Sequence, residues 1–159
     1  MIEKALFAAG CFWGVELSFQ SLKGVITTTV GYAGGNDNSP DYAKVATGET
    51  GHAEAIEIIF DPGVITFEEF AKHFFGIHNP ALFFATFGKR SQYRSAIFYY
   101  NDEQKEISEN LVEILRQKGF GVRTEIIPVT FFYMAEEKHQ NYYNKKGLFE
   151  TSKRFKKKF

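Results

Sequence analysis

The first third of the chain alternates short hydrophobic runs with segments that end at glycine. Residues 4–9 form an apolar run closed by Gly10, which is long enough for a buried strand and too short for a helix. Over residues 12–22 the apolar side chains recur at steps of three and four, which predicts a helix that ends at Lys23-Gly24. Residues 25–32 are rich in β-branched side chains and predict a second strand. The opening pattern therefore predicts a β-α-β unit.

Residues 31–51 interrupt this pattern. They are dense in glycine and small polar residues, so we expect a long irregular surface loop with a functional role. Beyond the loop, the hydrophobic patterns predict three more strands and two helices: strands over 53–60, 95–100 and 122–129, and helices that begin at Thr66 and span 103–118. This order of elements predicts an α+β fold, a two-layer sandwich with a split β-α-β, ferredoxin-like core, in a single domain over residues 1–159.

Composition narrows the range of partners. The chain has 19 basic and 19 acidic residues, so no net charge favours nucleic acid or an acidic partner. It also has no run of 18 apolar residues and no basic leader followed by an apolar stretch. We therefore expect a cytoplasmic monomer that binds neither nucleic acid nor membrane. The basic end, residues 153–158, is expected to be solvated.

Cys11 is the only cysteine of the chain. A lone thiol excludes an intrachain disulfide and any zinc or iron–sulfur cage built from several thiolates, so we expect no metal. Because Cys11 follows the first predicted strand and precedes the first predicted helix, the helix dipole and unpaired helix N–H groups would stabilise its thiolate. Cysteines in such positions have pKa values of about 3.5 to 7.5. Although an isolated cysteine is often a buried core residue, this position indicates a catalytic nucleophile.

The residues around Cys11 form a rare motif. The sequence Gly10-Cys11-Phe12-Trp13-Gly14 resembles the active-site motif of the peptide methionine sulfoxide reductase A family, and average residue usage gives it less than about one occurrence in ten million positions. Other stretches resemble family blocks in the family order, namely residues 31–35, 50–54, 92–95, 135–136 and 139–140, together with Tyr42, Val45 and Thr47-Gly48. The resemblance therefore covers nearly the whole chain.

The resemblance implies a thiol-dependent enzyme that reduces the S epimer of methionine sulfoxide, either free or within oxidised proteins. Cys11 would attack the sulfoxide sulfur and become a sulfenic acid as methionine leaves. The reaction needs an acid that protonates the sulfoxide oxygen. Glu54 is the candidate, since an apolar site favours a neutral carboxyl group. The implied catalytic residues are therefore Cys11 and Glu54.

Four aromatic residues are implied in substrate binding. Phe12 and Trp13 would pack against the methyl group of the substrate, while the hydroxyl groups of Tyr42 and Tyr93 would hold the sulfoxide oxygen. No bound cofactor is expected. Because the chain has no second thiol, an external reductant would recycle the sulfenic acid, either glutathione with glutaredoxin or a thioredoxin.

Three positions depart from the family pattern. The customary Asp before the block at residues 92–95 is missing, and its position falls near Gly88, where the chain is one residue shorter. Asn79 stands where the family normally has Asp, and Lys138 replaces a common aromatic residue. We expect these changes to lower activity or to shift substrate preference.

Three other functions compete with this interpretation. The change near Gly88 would suit a module that binds methionine sulfoxide without turning it over. A Cys-His hydrolase would pair Cys11 with His52, His78 or His139 as the base. The sequence His52-Ala53-Glu54 also begins a zinc deaminase signature, but that signature needs two downstream cysteines, which the chain lacks.

Overall fold

The computed structural model of the protein describes residues 1–81, 85–86, 89–147 and 155–159. The strands within these residues are β1 (Glu3–Ala9), β2 (Val25–Ala33), β3 (Ala53–Phe60), β4 (Ala85–Thr86), β5 (Lys89–Arg90), β6 (Ser95–Tyr99), β7 (Glu125–Pro128) and β8 (Phe132–Met134). The α-helices are α1 (Phe12–Gln20), α2 (Tyr42–Ala46), α3 (Phe67–Gly76), α4 (Asp102–Gln117) and α5 (Tyr142–Lys145), and a 3₁₀ helix covers Glu137–His139.

Six of the strands form one mixed sheet in the order β7-β6-β1-β3-β2-β8, and β4 pairs with β5 separately. Within the large sheet only β6 and β7 run parallel, and the other neighbours are antiparallel. Strand β3 lies between β1 and β2, which α1 connects along the chain. The fold therefore belongs to the mixed α+β class, as the sequence predicts.

Helices α1, α3 and α4 pack on one face of this sheet. The core they form with the sheet is rich in phenylalanine, and its large members include Phe7, Phe19, Phe60, Phe70, Phe74, Ile56 and Leu115. Burying one such side chain stabilises the fold by about 1.5–3 kcal/mol. Helix α3 begins with a capping box, in which Thr66 accepts from the amide of Glu69 and the Glu69 carboxylate accepts from the amide of Thr66.

The opposite face of the sheet carries small side chains. Its buried core residues are Leu6, Ala8, Ala33, Ala53, Ala55, Ala96 and Phe98. Gly31 is needed near the edge, because a Cβ atom at this position would collide with the carbonyl oxygen of Tyr133 in β8.

The predicted irregular loop over residues 31–51 is partly wrong. Strand β2 continues to Ala33, and helix α2 occupies residues 42–46. The side chain of Asp41 caps α2 by accepting a hydrogen bond from the amide of Lys44 at 2.8 Å. A five-residue helix has too few turns to give a periodic hydrophobic pattern, so its cap is the only sequence signal.

The end of the chain differs more from prediction. Strand β8, the 3₁₀ helix and α5 have no counterpart in the predicted elements, and β7 is shorter than the predicted strand over 122–129. Of residues 155–158 in the basic end, the first three are exposed, as expected, and Lys158 is half-buried. There the amide of Lys156 donates to the carbonyl of Gly76 at 2.7 Å, and the ammonium of Lys158 donates to the carbonyl of Phe75 at 2.6 Å. Burial, followed by the nearby charge of Lys156, lowers the pKa of Lys158.

The structure bears on the expectation about membranes but does not describe the position of the missing Asp. In the described ranges, no helix is both long and apolar enough to cross a membrane. The position near Gly88, by contrast, lies outside the described residues, as do residues 153–154 of the basic end.

Candidate active site

Strand β1 and helix α1 bring Cys11 to the end of the sheet. Between them, Gly10 has φ +97°, a conformation that glycine adopts far more readily than other residues, and it turns the chain into the helix. Cys11 is the N-cap residue of α1, and its carbonyl accepts from the amide of Val15 at 3.3 Å. The thiol belongs to a half-buried side chain, so it can meet a small substrate at the surface.

Glu54 lies at the start of β3 and is almost fully buried, with 1% of its surface exposed. Its Oε1 accepts from the backbone amide of Phe12 at 3.1 Å, and its Oε2 accepts from Nε2 of Gln92 at 2.6 Å. The amide of Glu54 in turn donates to the carbonyl of Gln92 at 2.8 Å. The carboxyl group is thus fixed beside the residue that follows Cys11. The first N–H group of α1, which the sequence suggested would stabilise the thiolate, donates to Glu54.

The side chains of Tyr42 and Tyr93 lie close enough for their hydroxyl groups to interact. Burial raises the pKa of Tyr93 most strongly, and the bond to Tyr42 and the negative charges of Glu54 and Cys11 raise it further. Tyr93 therefore stays protonated at neutral pH and can donate a hydrogen bond. It remains 38% exposed, so the site opens to solvent beside it.

Phe12 and Trp13 occupy different parts of the site. Phe12 is 1% exposed and packs on the rings of Tyr32 and His139, with centroid distances of 5.9 and 5.4 Å. Trp13 is half-buried, and its indole stacks on Tyr142 at 3.7 Å between centroids. Phe12 is thus mostly covered by protein, whereas Trp13 offers more open surface.

A group of residues whose roles the sequence did not assign supports these aromatic rings. The carboxylate of Glu136 accepts from the hydroxyl of Tyr32 at 2.8 Å and from the amide of Tyr42 at 3.1 Å. Burial opposes ionisation of Glu136, but the hydrogen bond from its own backbone amide, the two bonds from Tyr32 and Tyr42 and the nearby His139 outweigh burial and lower its pKa. His139 accepts from the indole N–H of Trp13 through Nδ1 at 3.1 Å. The family-like blocks at residues 135–136 and 139–140 were the only sequence signal for this support.

His139 remains neutral in this setting. Burial lowers its pKa, with the charge of Glu136 acting in the opposite direction and that of Lys138 acting with burial. The hydrogen bond from Trp13 requires an unprotonated Nδ1, and a neutral ring provides it. The ring of Tyr42 also lies 4.9 Å from that of His139. His139 thus contacts both Trp13 and Tyr42.

The other two positions that depart from the family pattern are Asn79 and Lys138. Asn79 accepts from the amide of Ala81 through its side-chain oxygen at 3.0 Å, which closes a local turn. Lys138 is exposed on the 3₁₀ helix.

The histidines proposed as hydrolase bases have other contacts. The ring nitrogens of His78 bond to the carbonyl of Phe74 and the hydroxyl of Ser95, each at 2.7 Å. His52 is buried with its ring edge toward Tyr133, and Nδ1 of His139 accepts from Trp13. In the part of the chain that the structure describes, no cluster of three or more histidine, cysteine and carboxylate side chains is suited to hold a metal ion.

The arrangement suits one kind of substrate chemistry. It combines a half-buried thiol, a buried carboxyl group and a pair of tyrosine hydroxyls with aromatic walls. Such a site can hold a small group that is polar at one atom and apolar next to it. The carboxyl and hydroxyl groups can stabilise an oxygen on which charge develops.

Known proteins match the chain along most of its length. The family described as Peptide methionine sulfoxide reductase matches residues 3–158. A relative from Methanosarcina acetivorans, described as peptide methionine sulfoxide reductase MsrA, is 47% identical over 158 residues, covering 94% of this chain and 82% of the relative.

Solved structures give the same result. Mxr1 from Saccharomyces cerevisiae in reduced form matches with a TM-score of 0.84 at 30% identity, covering 99% of this chain and 93% of that one. Methionine sulfoxide reductase A of Corynebacterium diphtheriae matches with a TM-score of 0.80 at 34% identity, covering 92% and 76%. Together with the match over residues 3–158, these likenesses show that the chain belongs to the peptide methionine sulfoxide reductase family of oxidoreductases.

Proposed function

We propose that the protein reduces the S epimer of methionine sulfoxide to methionine, with Cys11 as the nucleophile and Glu54 as the proton donor. One observation carries the assignment of these two residues. The buried carboxyl group of Glu54 is bonded to the amide of Phe12, the residue that follows Cys11. Acid and nucleophile are therefore neighbours through a single peptide unit.

The reaction transfers the sulfoxide oxygen to the enzyme. The thiolate of Cys11 supplies an electron pair to the sulfoxide sulfur, and Glu54 gives a proton to the oxygen. The bond between substrate sulfur and oxygen and the transient bond between the two sulfurs then break as the hydroxyl group moves to the Cys11 sulfur. Cys11 becomes a sulfenic acid and the thioether of methionine is released. The substrate sulfur is reduced by two electrons and the cysteine sulfur is oxidised by two.

The aromatic residues would orient the substrate for this transfer. The hydroxyls of Tyr42 and Tyr93 lie close together, and Tyr93 interacts with the charges of both Glu54 and Cys11. These hydroxyls are suited to hold the oxygen during its transfer. Trp13, fixed by its stacking on Tyr142, would contact the methyl group, and the more deeply buried Phe12 would support it from behind.

Recycling of Cys11 would use an external thiol. The chain has no second cysteine, so a thiolate from glutathione or from a thioredoxin-type protein would condense with the sulfenic acid and release water. A second thiol would then displace the first as a disulfide. The yeast relative Mxr1 is known in complex with Trx2, a partner of that protein.

We also propose a split β-α-β, ferredoxin-like arrangement for the core. Its support is the position of β3, which lies between β1 and β2 and antiparallel to both, while β6 flanks β1 on the other side. The continuous family match over residues 3–158 supports a single domain. A cytoplasmic location and a monomeric state remain predictions.

Turnover with separated epimers tests the proposed function. With dithiothreitol as the reductant, the protein should reduce the S epimer of N-acetylmethionine sulfoxide and leave the R epimer unchanged, and Cys11→Ser should abolish the reaction. Turnover of the R epimer alone, or activity in Cys11→Ser, would contradict the proposal. Binding of the S epimer without turnover would instead identify a binding module, and cleavage of an ester would identify a hydrolase.

A further inference from the structure

We infer that Gln92 is a positioning residue of the reductase reaction, whose side-chain amide holds Glu54 in the orientation from which it donates its proton. The inference rests on the proposed function. Gln92 is buried, with 9% of its surface exposed. Its Nε2 lies 2.6 Å from Oε2 of Glu54.

Two hydrogen bonds join Gln92 and Glu54. The side chain of Gln92 donates to the carboxyl group of Glu54, and the backbone carbonyl of Gln92 accepts from the amide of Glu54 at 2.8 Å. The backbone bond fixes the position of Gln92 relative to the backbone of Glu54. A change in the Gln92 side chain can therefore remove the first bond while the backbone bond remains.

Two donors are needed to fix a carboxyl group. A glutamate has three side-chain torsions, and the last of them is broad. The backbone amide of Phe12 holds Oε1, at 3.1 Å. The bond from Gln92 holds the second oxygen, Oε2, so it helps to fix the direction in which a protonated Glu54 would present its O–H.

The side-chain amide of Gln92 also affects whether Glu54 is charged or neutral. A hydrogen-bond donor stabilises a carboxylate more than a neutral carboxyl group. Without this donor, Glu54 would hold its proton to higher pH. The loss would therefore change both the rate and the pH at which the rate falls, whereas a merely structural defect would leave the pH dependence unchanged.

The neighbouring residue offers a competing explanation. Gln92 precedes Tyr93, whose amide donates to the hydroxyl of Ser91 at 3.0 Å in the same turn. A substitution at Gln92 that displaced Tyr93 would also slow the reaction. A double-mutant cycle separates the two cases, because an effect through Tyr93 persists when Glu54 has lost its acid function.

The experiment compares Gln92→Met, Glu54→Gln and the double variant by single-turnover release of methionine from the S epimer. Methionine keeps the approximate volume of the side chain and removes the donor. Gln92→Met should lower the rate by about 10-fold or more with little change in KM, as part of the roughly 10² to 10⁴ that proton donation supplies. In the Glu54→Gln background the same substitution should lower the rate by less than about twofold.

Gln104→Met is the matched control. Gln104 is also buried, and Nε2 of its side chain donates to the carbonyl of Lys4 at 2.8 Å. Lys4 lies at the end of β1 that is remote from Cys11. The control should lose stability and keep the wild-type rate and pH profile. In Gln92→Met the alkaline limb of the pH–rate profile should move to higher pH.

Two results would overturn the inference. One is an equal rate loss from Gln92→Met in both backgrounds, which would assign the effect to Tyr93 or to packing. The other is a near-wild-type rate in Gln92→Met or in Glu54→Gln. Failure of the proposed function is seen separately, because the wild-type protein would then release no methionine from the S epimer.

Discussion

The hydroxyl groups of Tyr42 and Tyr93 are held in different ways. The backbone of Tyr42 is anchored to Glu136 at 3.1 Å and its ring packs on His139, so its position depends on the end of the chain. The hydroxyl of Tyr93 interacts with that of Tyr42, and Tyr93 is 38% exposed. In the proposed reaction each hydroxyl would donate one neutral hydrogen bond to the sulfoxide oxygen in place of its contact with the other tyrosine, whereas Glu54 would donate a proton.

Removing either hydroxyl should therefore matter less than removing the acid. A neutral hydrogen bond contributes about 0.5–1.5 kcal/mol, so Tyr42→Phe and Tyr93→Phe should each lower the single-turnover rate by about 2- to 13-fold. Tyr100→Phe is the control, since its hydroxyl bonds to Glu57 at 3.0 Å, away from Cys11. A larger loss in Tyr93→Phe than in Glu54→Gln would transfer the role of acid to the tyrosine.

Sequence alone singled out the residues proposed to act on the substrate more readily than the residues that hold them in place. Cys11, Phe12 and Trp13 are contiguous, so one motif was enough to single them out. The bond between Gln92 and Glu54 spans 38 positions, and the bond between Trp13 and His139 spans 126. Contacts at such separations arise from the fold, and the pattern of one sequence does not predict them.

Regular elements were predicted where periodicity is strong. Helix α4 and strand β3 lie close to their predicted ranges, because the first has a clear apolar face and the second is a short, mostly apolar run that includes three isoleucines. Helix α2 and strand β8 have only five and three residues. Tertiary contacts stabilise elements of this length, so the local pattern carries little information about them.

Tertiary contacts also explain why the position of Lys158 at the end of the chain was not predicted. Residues 156–158 are all lysine, and charge alone indicates a solvated segment. The ammonium of Lys158 instead donates to the carbonyls of Phe75 and His78, near the end of α3. Carbonyl groups at a helix C-terminus attract cations, and the sequence did not reveal that the chain returns to this helix.

At the scale of the whole molecule, three histidines link stability to pH. Burial is the main cause that lowers the pKa of His52, His73 and His139 below the ordinary value of 6.5. The unfolded chain therefore binds more protons than the folded chain just below pH 6.5, so the free energy of unfolding falls as the pH is lowered through this range. The slope for one histidine cannot exceed about 1.4 kcal/mol per pH unit.

Glu16 acts in the opposite direction. Burial raises its pKa from 4.5, so its folded form retains a proton that the unfolded form loses, and its contribution decreases stability as the pH rises above 4.5. We expect the three histidines to outweigh it between pH 7.5 and 6.0.

Urea unfolding at these two pH values measures the balance. The free energy of unfolding should be lower at pH 6.0, and His73→Gln, which can retain the bond to Ser18, should reduce the difference. Equal or greater stability at pH 6.0 would contradict this prediction.

The central claim is that Cys11 receives the oxygen of the substrate. It is tested most directly by rapid-quench reaction of the S epimer without reductant, with dimedone trapping and mass spectrometry of the peptide that contains Cys11. One methionine should be released per chain, and the trapped sulfenic acid on Cys11 should appear in the same amount and at the same rate. Release of methionine with an unmodified Cys11, or no release from the S epimer at all, would contradict the account.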